Sequence, residues 1–176
     1  QLSLTDTNLS TLMTLCGSSD FFAEMIASNP SLVEGLGKHA YEAFRRDYRP
    51  VLRAAIDRET SFSAELAAFR LTWAALITEI GTLDATNKIS ILEANRLQTE
   101  LAIASINVAY LIARREIVRR LGPLKAGPRV AFLGLGRLGS GGVDYGSDLD
   151  LLITYDSLVP SPVASMTQDE AYARLV

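Results

Sequence analysis

The sequence predicts an α+β chain: an N-terminal helical bundle over residues 1–122, then the first strands of an α/β domain over residues 123–176. Three observations carry this. Apolar residues before Leu121 recur at three- and four-residue spacings, the period of a helix. Gly122-Pro123 is a strong stop. Beyond it, two short apolar runs flank a glycine-rich stretch, the pattern of two strands and a turn. The chain starts at Gln1 and stops at Val176 inside a predicted helix, so the second unit is expected to be truncated, part of something longer.

Each element has its own local signals. Asn8 to Cys16 is a short amphipathic helix closed by Gly17. Ser19 or Asp20 caps the next helix, Phe21 to Ser28, which Asn29-Pro30 stops. Ser31 to Leu36 makes a turn before Gly37, and in the charged stretch Tyr41 to Arg58, Pro50 breaks or starts a helix. Ser63 to Ile80 aligns Leu66, Phe69, Trp73, Leu76, Ile77 and Ile80 as a core stripe, with Gly81 expected to end it. Ser90-x-x-Glu93 resembles a capping box. It opens a helix to about Leu121, about 45 Å long at the usual rise. Arg129 to Leu135 and Leu149 to Tyr155 read as strands, Pro160-Ser161-Pro162 as a loop, and Thr167 or Asp169 as the cap of a last helix.

Composition excludes several classes. The chain has 176 residues, 48% hydrophobic, with a net charge of −3, which argues against a nucleic-acid partner. Cys16 is alone, so no internal disulfide forms, and a lone His39 removes zinc sites built from His and Cys. Residues 1–10 carry no basic start or apolar run of a leader. The greasiest stretch, Leu101 to Ala113, is short for a bilayer and holds Ser105 and Asn107. The expectation is a cytoplasmic protein with no membrane partner.

The chemistry centres on Gly146-Ser147-Asp148-Leu149-Asp150. On a strand, Asp148 and Asp150 fall on one face. Carboxylates that close repel unless a proton or cation lies between them. Oxygen ligands of this kind suit Mg²⁺ shared with phosphates. Upstream, Gly134-Leu-Gly-Arg-Leu-Gly139 matches the dinucleotide pattern G-x-G-x-x-G, but the next residues, Ser140-Gly-Gly-Val-Asp-Tyr-Gly-Ser147, are poor helix material. Only nine residues separate Gly139 from Leu149, too few for a βαβ crossover. A glycine turn can instead cradle a triphosphate through its N–H groups. The bland alternative leaves Ser147-Asp148 as a turn cap and Asp150 in solvent.

A strand ending at Gly136, a flexible turn, and Asp-x-Asp beginning twelve residues later resemble the nucleotidyltransferase superfamily that includes polymerase β. Gly134 to Gly139 with Tyr145-Gly-Ser-Asp-Leu-Asp-Leu151 is similar to one family within it, glutamine synthetase adenylyltransferase, the bifunctional adenylyl-transferring and adenylyl-removing enzyme. Leu15-Cys16-Gly17-Ser18-Ser19 and Asn29-Pro30-Ser31-Leu32 resemble its helical lead-in, while Glu65 to Gly122 matches in pattern only.

The resemblance implies a fragment of a transferase that moves AMP from ATP to a tyrosine of glutamine synthetase, a multifunctional enzyme regulating nitrogen metabolism. It implies Asp148 and Asp150 as catalytic metal ligands for Mg²⁺, with Gly136, Arg137 and Ser147 at the ATP phosphates. Where the wider superfamily often has Ser after the glycine, this chain has Arg137, able to hold phosphate bidentately or to stand as a solvated turn residue. It implies glutamine synthetase and the PII signal protein as partners and glutamine as a regulator. The third carboxylate of the superfamily is expected beyond Val176, since Asp156 lies too far along its strand, about 20 Å.

Alternatives remain open: the phosphorolytic adenylyl-removing half of the same enzyme, a helical interaction module with a vestigial site, or an antibiotic-modifying nucleotidyltransferase. The wording Tyr-Gly-Ser-Asp-Leu-Asp leans towards the transferring half. Arg114, Arg115, Arg119 and Arg120 suit the C-terminal dipole of the long helix, with phosphate or partner binding as the other reading. Arg45, Arg46, Arg49 and Arg53 read as a solvated face, and His39 is assigned no role.

Overall fold

The computed structural model describes residues 5–36, 46–125, 127 and 129–175. The expectations for Gly37, His39, Arg45 and the start of the Tyr41–Arg58 stretch lie outside the described residues. The fold is α+β, helices first and an antiparallel two-stranded sheet after them.

Helix starts are set by hydroxyl caps. Thr5 Oγ1 accepts from the Asn8 N–H (3.2 Å) at α1, Asp6–Ser18, which runs through Gly17 rather than stopping there. Helix α2, Asp20–Ser28, begins after Ser19 without a side-chain cap bond, and Pro30–Gly35 forms a 3₁₀ turn. Asp47 caps α3, Tyr48–Ile56, and Pro50 sits in its first turn, where no N–H is missed. Ser61 caps α4, Phe62–Ala85, and Ser90 caps α5, Ile91–Leu121. Only half of the predicted capping box forms at α5. Glu93 turns to Arg96 (2.7 Å), an ion pair one helical turn on. The complete box stands at α7, Gln168–Ala173, where Thr167 and Glu170 bond each other's N–H groups. Gly122, at φ +85°, ends α5 as its residue type predicts.

Gly81 does not end α4. The helix continues for another turn because Gly81 is the place where the Phe22 ring of α2 enters, and a Cβ there would overlap that ring. Gly81→Ala ordinarily gains helix propensity, yet here overpacking should win and cost about 1–3 kcal/mol. Thermal denaturation checks this. Phe22→Leu in the same chain should recover part of the loss, and an unchanged midpoint for Gly81→Ala would refute the close fit.

Helices α3, α4 and α5 enclose the main core, with Leu52, Ile56, Ile80, Leu97, Leu101 and Ile112 buried in it. A second cluster, including Leu15, Phe22, Ile26 and Leu32, joins α1 and α2 to α4. Helix α4 is long and apolar enough to cross a membrane by length and composition, but its apolar residues Leu76, Ile77, Ile80 and Leu83 are buried in the chain itself. At the base of the core, Glu65 is 1% exposed and ion-paired with Arg115 (3.0 Å) and Arg119 of α5. Arg115 also holds Asp57, and its hydrogen bond keeps the Asp57 carboxyl below the usual carboxylate range. Two of the arginines read as a dipole effect thus have a buried carboxylate as partner. Arg46 likewise departs from a solvated face, since it pairs with Glu79 at 2.7 Å in a largely covered position.

Strands β1, Val130–Gly134, and β2, Leu151–Tyr155, pair antiparallel from Val130 opposite Tyr155 to Gly134 opposite Leu151. Antiparallel pairing leaves no βαβ unit. Between them lies a single-turn helix, α6, Gly136–Ser140, where the glycines had suggested none. Tertiary contact overrides propensity at this point. The turn folds back so tightly that a Cβ on Gly139 would stand 2.5 Å from the Gly134 carbonyl oxygen. The sheet meets α5 through Phe132 against Tyr110, ring centres 5.3 Å apart, and Ala171 and Tyr172 of α7, with Leu175 just after it, pack around Ile117 of α5.

Candidate phosphate and metal site

The glycine turn and the acidic segment meet at the end of the sheet. Asp148 and Asp150 lie just before β2 rather than on it, although the Leu135 N–H still donates to the Asp150 carbonyl (2.9 Å) and extends the ladder by one bond. Gly136 adopts φ +51°, and a Cβ there would lie 2.6 Å from Asp150 Oδ2. The Asp150 carboxylate therefore rests directly against the backbone of Gly136, in space a larger residue would fill. On the other side of the turn, Arg137 donates to Ser147 Oγ (3.3 Å) and reaches Asp144 (3.5 Å).

The segment leading to the carboxylates is a tight turn. The Ser147 N–H donates to the Asp144 carbonyl (3.1 Å), and the Asp144 N–H donates to Ser147 Oγ (3.2 Å). Gly146, at φ +70°, reverses the chain against Phe21. Gly136, Arg137, Ser147 and Asp150 are thus brought together, with Asp148 in the same exposed stretch. Neither the Asp148 nor the Asp150 side chain is hydrogen-bonded or ion-paired to another described residue.

A cation fits this arrangement by the chemistry of its donors. Two exposed carboxylates without partners among the described residues, beside a glycine turn, offer the hard oxygen ligands that Mg²⁺ takes together with phosphates. Among the described residues no group of three or more His, Cys, Asp or Glu side chains converges, so the pair stands without a third carboxylate. Behind the turn, a cavity of about 120 Å³ is lined by Phe21, Trp73, Gln98, Tyr145 and Ser147. A larger cavity of about 400 Å³ lies elsewhere, between the 3₁₀ turn and α4, and includes none of the five predicted residues.

Comparison with known proteins decides the family. Residues 9–176 match the family described as glutamate-ammonia ligase adenylyltransferase. The chain belongs to that family. It is similar to the bifunctional glutamine synthetase adenylyltransferase/adenylyl-removing enzyme of Brucella suis biovar 1, 32% identical over 151 residues, covering 84% of this chain and 15% of the relative. The Rhizobium meliloti enzyme of the same name gives the same identity and coverage, and that of Bradyrhizobium diazoefficiens is 27% identical over 143 residues, 80% of this chain and 14% of the relative. The chain spans about 15% of the length of the curated relatives it matches.

Within this chain, sequence reading missed the residues that anchor the acidic loop. The Tyr145 hydroxyl donates to Asp84 Oδ2 (3.1 Å) near the end of α4, and the Val143 N–H donates to Thr99 Oγ1 (3.2 Å) on α5. An aromatic inside a polar, glycine-flanked loop was the available signal for the first. Thr99, buried on an apolar helix face, was the signal for the second.

Proposed function

We propose that this chain carries part of the nucleotide site of a Mg²⁺-dependent adenylyltransferase that moves AMP from ATP to a tyrosine hydroxyl of glutamine synthetase, releasing pyrophosphate. One observation carries the reading: exposed Asp148 and Asp150 side chains that bond no other described residue, with Asp150 set against Gly136, in a chain of this family. Asp148 and Asp150 would hold Mg²⁺, which supplies neutralisation of charge on the phosphate oxygens during displacement.

The chain's own residues do the rest. Gly136, without a side chain, lets the Asp150 carboxylate lie against the turn whose N–H groups would face the phosphates. The exposed Arg137 guanidinium exchanges its contacts with Ser147 and Asp144 for phosphate oxygens, which its planar fork matches. Ser147 Oγ donates to the same phosphates. A third carboxylate completes the site from elsewhere in the whole protein. The partners on this reading are glutamine synthetase and the PII signal protein, with no nucleic acid or membrane, and the compartment is the cytoplasm.

The assay offers the whole protein ATP and glutamine synthetase with Mg²⁺, and separately offers adenylylated glutamine synthetase with phosphate. AMP incorporation that disappears in Asp148→Asn supports the transferring role. Phosphate-dependent AMP release that disappears in the same variant assigns the chain to the removing half instead. If neither reaction depends on Asp148, the chain is an interaction module.

A further inference from the structure

The Asp150 backbone is tied to β1 through the Leu135 N–H. Neither the Asp148 nor the Asp150 side chain bonds another described residue, so where the two carboxylates stand depends on what holds the loop that leads into them. The tight turn from Asp144 to Ser147 has its tip, Tyr145-Gly146, pressed into the helices. The Tyr145 ring packs edge-on against Phe22 (4.8 Å) and tilted against Phe21 (6.2 Å), both on α2. Its hydroxyl reaches across to Asp84 on α4. One side of this turn is held at Val143 by Thr99, and the other runs directly into Ser147, Asp148 and Asp150.

Asp84 stands in a place that local rules disfavour. It lies in the last turn of α4, where the helix dipole opposes a negative charge. A carboxylate there is expected to have a compensating partner, and Tyr145 is its hydrogen-bonded one. The bond is durable: burial raises the Tyr145 pKa well above that of a free phenol, and the Asp84 charge raises it further, so the hydroxyl stays a donor. Ring packing already supplies the apolar burial. The hydroxyl adds direction, fixing where along α4 the turn docks.

We infer that Asp84 and Tyr145 are positioning residues for the phosphate and metal site, with α4 setting through their hydrogen bond where Asp148 and Asp150 stand relative to the Gly136 turn. This rests on the function proposed above. Tyr145 and Asp84 touch neither phosphate nor metal on this account. They act through the short chain segment that joins Tyr145 to Asp148.

The test measures binding of ATP in the presence of Mn²⁺ by titration calorimetry, at a temperature where every variant is fully folded, together with the KM for Mg²⁺-ATP. Tyr145→Phe keeps the ring and removes only the hydroxyl; Asp84→Ala removes the acceptor. Each should weaken metal-dependent ATP binding about tenfold, the size expected for a hydrogen bond to a charged group. The double variant should be no weaker than either single one, because both break the same bond. Asp84→Asn, which keeps an acceptor oxygen, should recover most of the affinity. Fluorescence of Trp73, the chain's single tryptophan and a wall of the cavity beside this loop, should change on ATP addition in the parent and less in Tyr145→Phe.

If both single variants bind within about twofold of the parent while Asp148→Asn abolishes binding, the positioning role is overturned and the metal-site reading stands. If Asp148→Asn and Asp150→Asn both bind like the parent, the metal-site reading fails and the positioning role falls with it. An additive double variant also overturns the inference, since it would separate the two residues.

Discussion

Asp148→Asn and Asp150→Asn should each abolish Mg²⁺-dependent ATP binding and lower AMP transfer by about a thousandfold or more, equivalent to about 4 kcal/mol of transition-state stabilisation. The fold should hardly notice. Both side chains are exposed and neither bonds another described residue, so stability is expected within about 0.5 kcal/mol of the parent. Asparagine keeps the side-chain shape, at position 150 the one that rests on Gly136, and loses the charge that attracts the cation. Isothermal titration with Mg²⁺ and ATP, run beside a thermal melt, separates the two effects. Retained binding in both variants would mean that the exposed pair is a turn feature and the nucleotide is held elsewhere.

The second large effect is on stability. Glu65→Ala should destabilise the chain by about 2–3 kcal/mol, at or below the bottom of the range for breaking a buried ion pair. The discount is physical. Arg115 and Arg119 keep 29% and 33% of their side-chain surface in water, and they retain Asp57 and Glu116 as partners. What is lost is the carboxylate lying between two guanidinium groups that otherwise repel each other, together with the packing of its stem. For a chain of this size the midpoint should fall by about 5–10 °C. Circular dichroism at the helical minimum tracks the loss, and a change under about 1 kcal/mol would mean that the two arginines resolvate freely.

The parts of this molecule that were legible from its sequence are those set by neighbours in the chain. Ser90 and Gly122 bracket α5 because cap chemistry and a positive φ act over a few residues. Of the two caps offered for the last helix, Thr167 takes the position for the same reason. The five candidate residues stand out in the sequence because glycine and paired acidic residues at that spacing carry meaning without reference to distant contacts; the structure brings Gly136 to Asp150 and Arg137 to Ser147.

What was misread depends on long-range contact. Gly81 has the local character of a helix end, and only the Phe22 ring explains why the helix passes through it. The glycines after Leu135 disfavour a helix locally, yet the fit of Gly139 against Gly134 winds one turn of it. Glu65 gave no sign of its two arginines, more than a helix length away in sequence. Tyr145 and Asp84 are separated by 61 residues, and no pattern within either segment points to the other.

That separation has a consequence for synthesis. Chains emerge from a ribosome at roughly 5–20 residues per second, so Asp84 precedes Tyr145 by about 3–12 s. During this interval α2, α4 and α5 can assemble by themselves, but Phe21 and Phe22 lack the ring that later covers them. The nascent bundle therefore passes through a stage with an open aromatic seat, when it is most prone to association with other chains. Arrival of the tyrosine closes that seat and places the acidic loop in the same event.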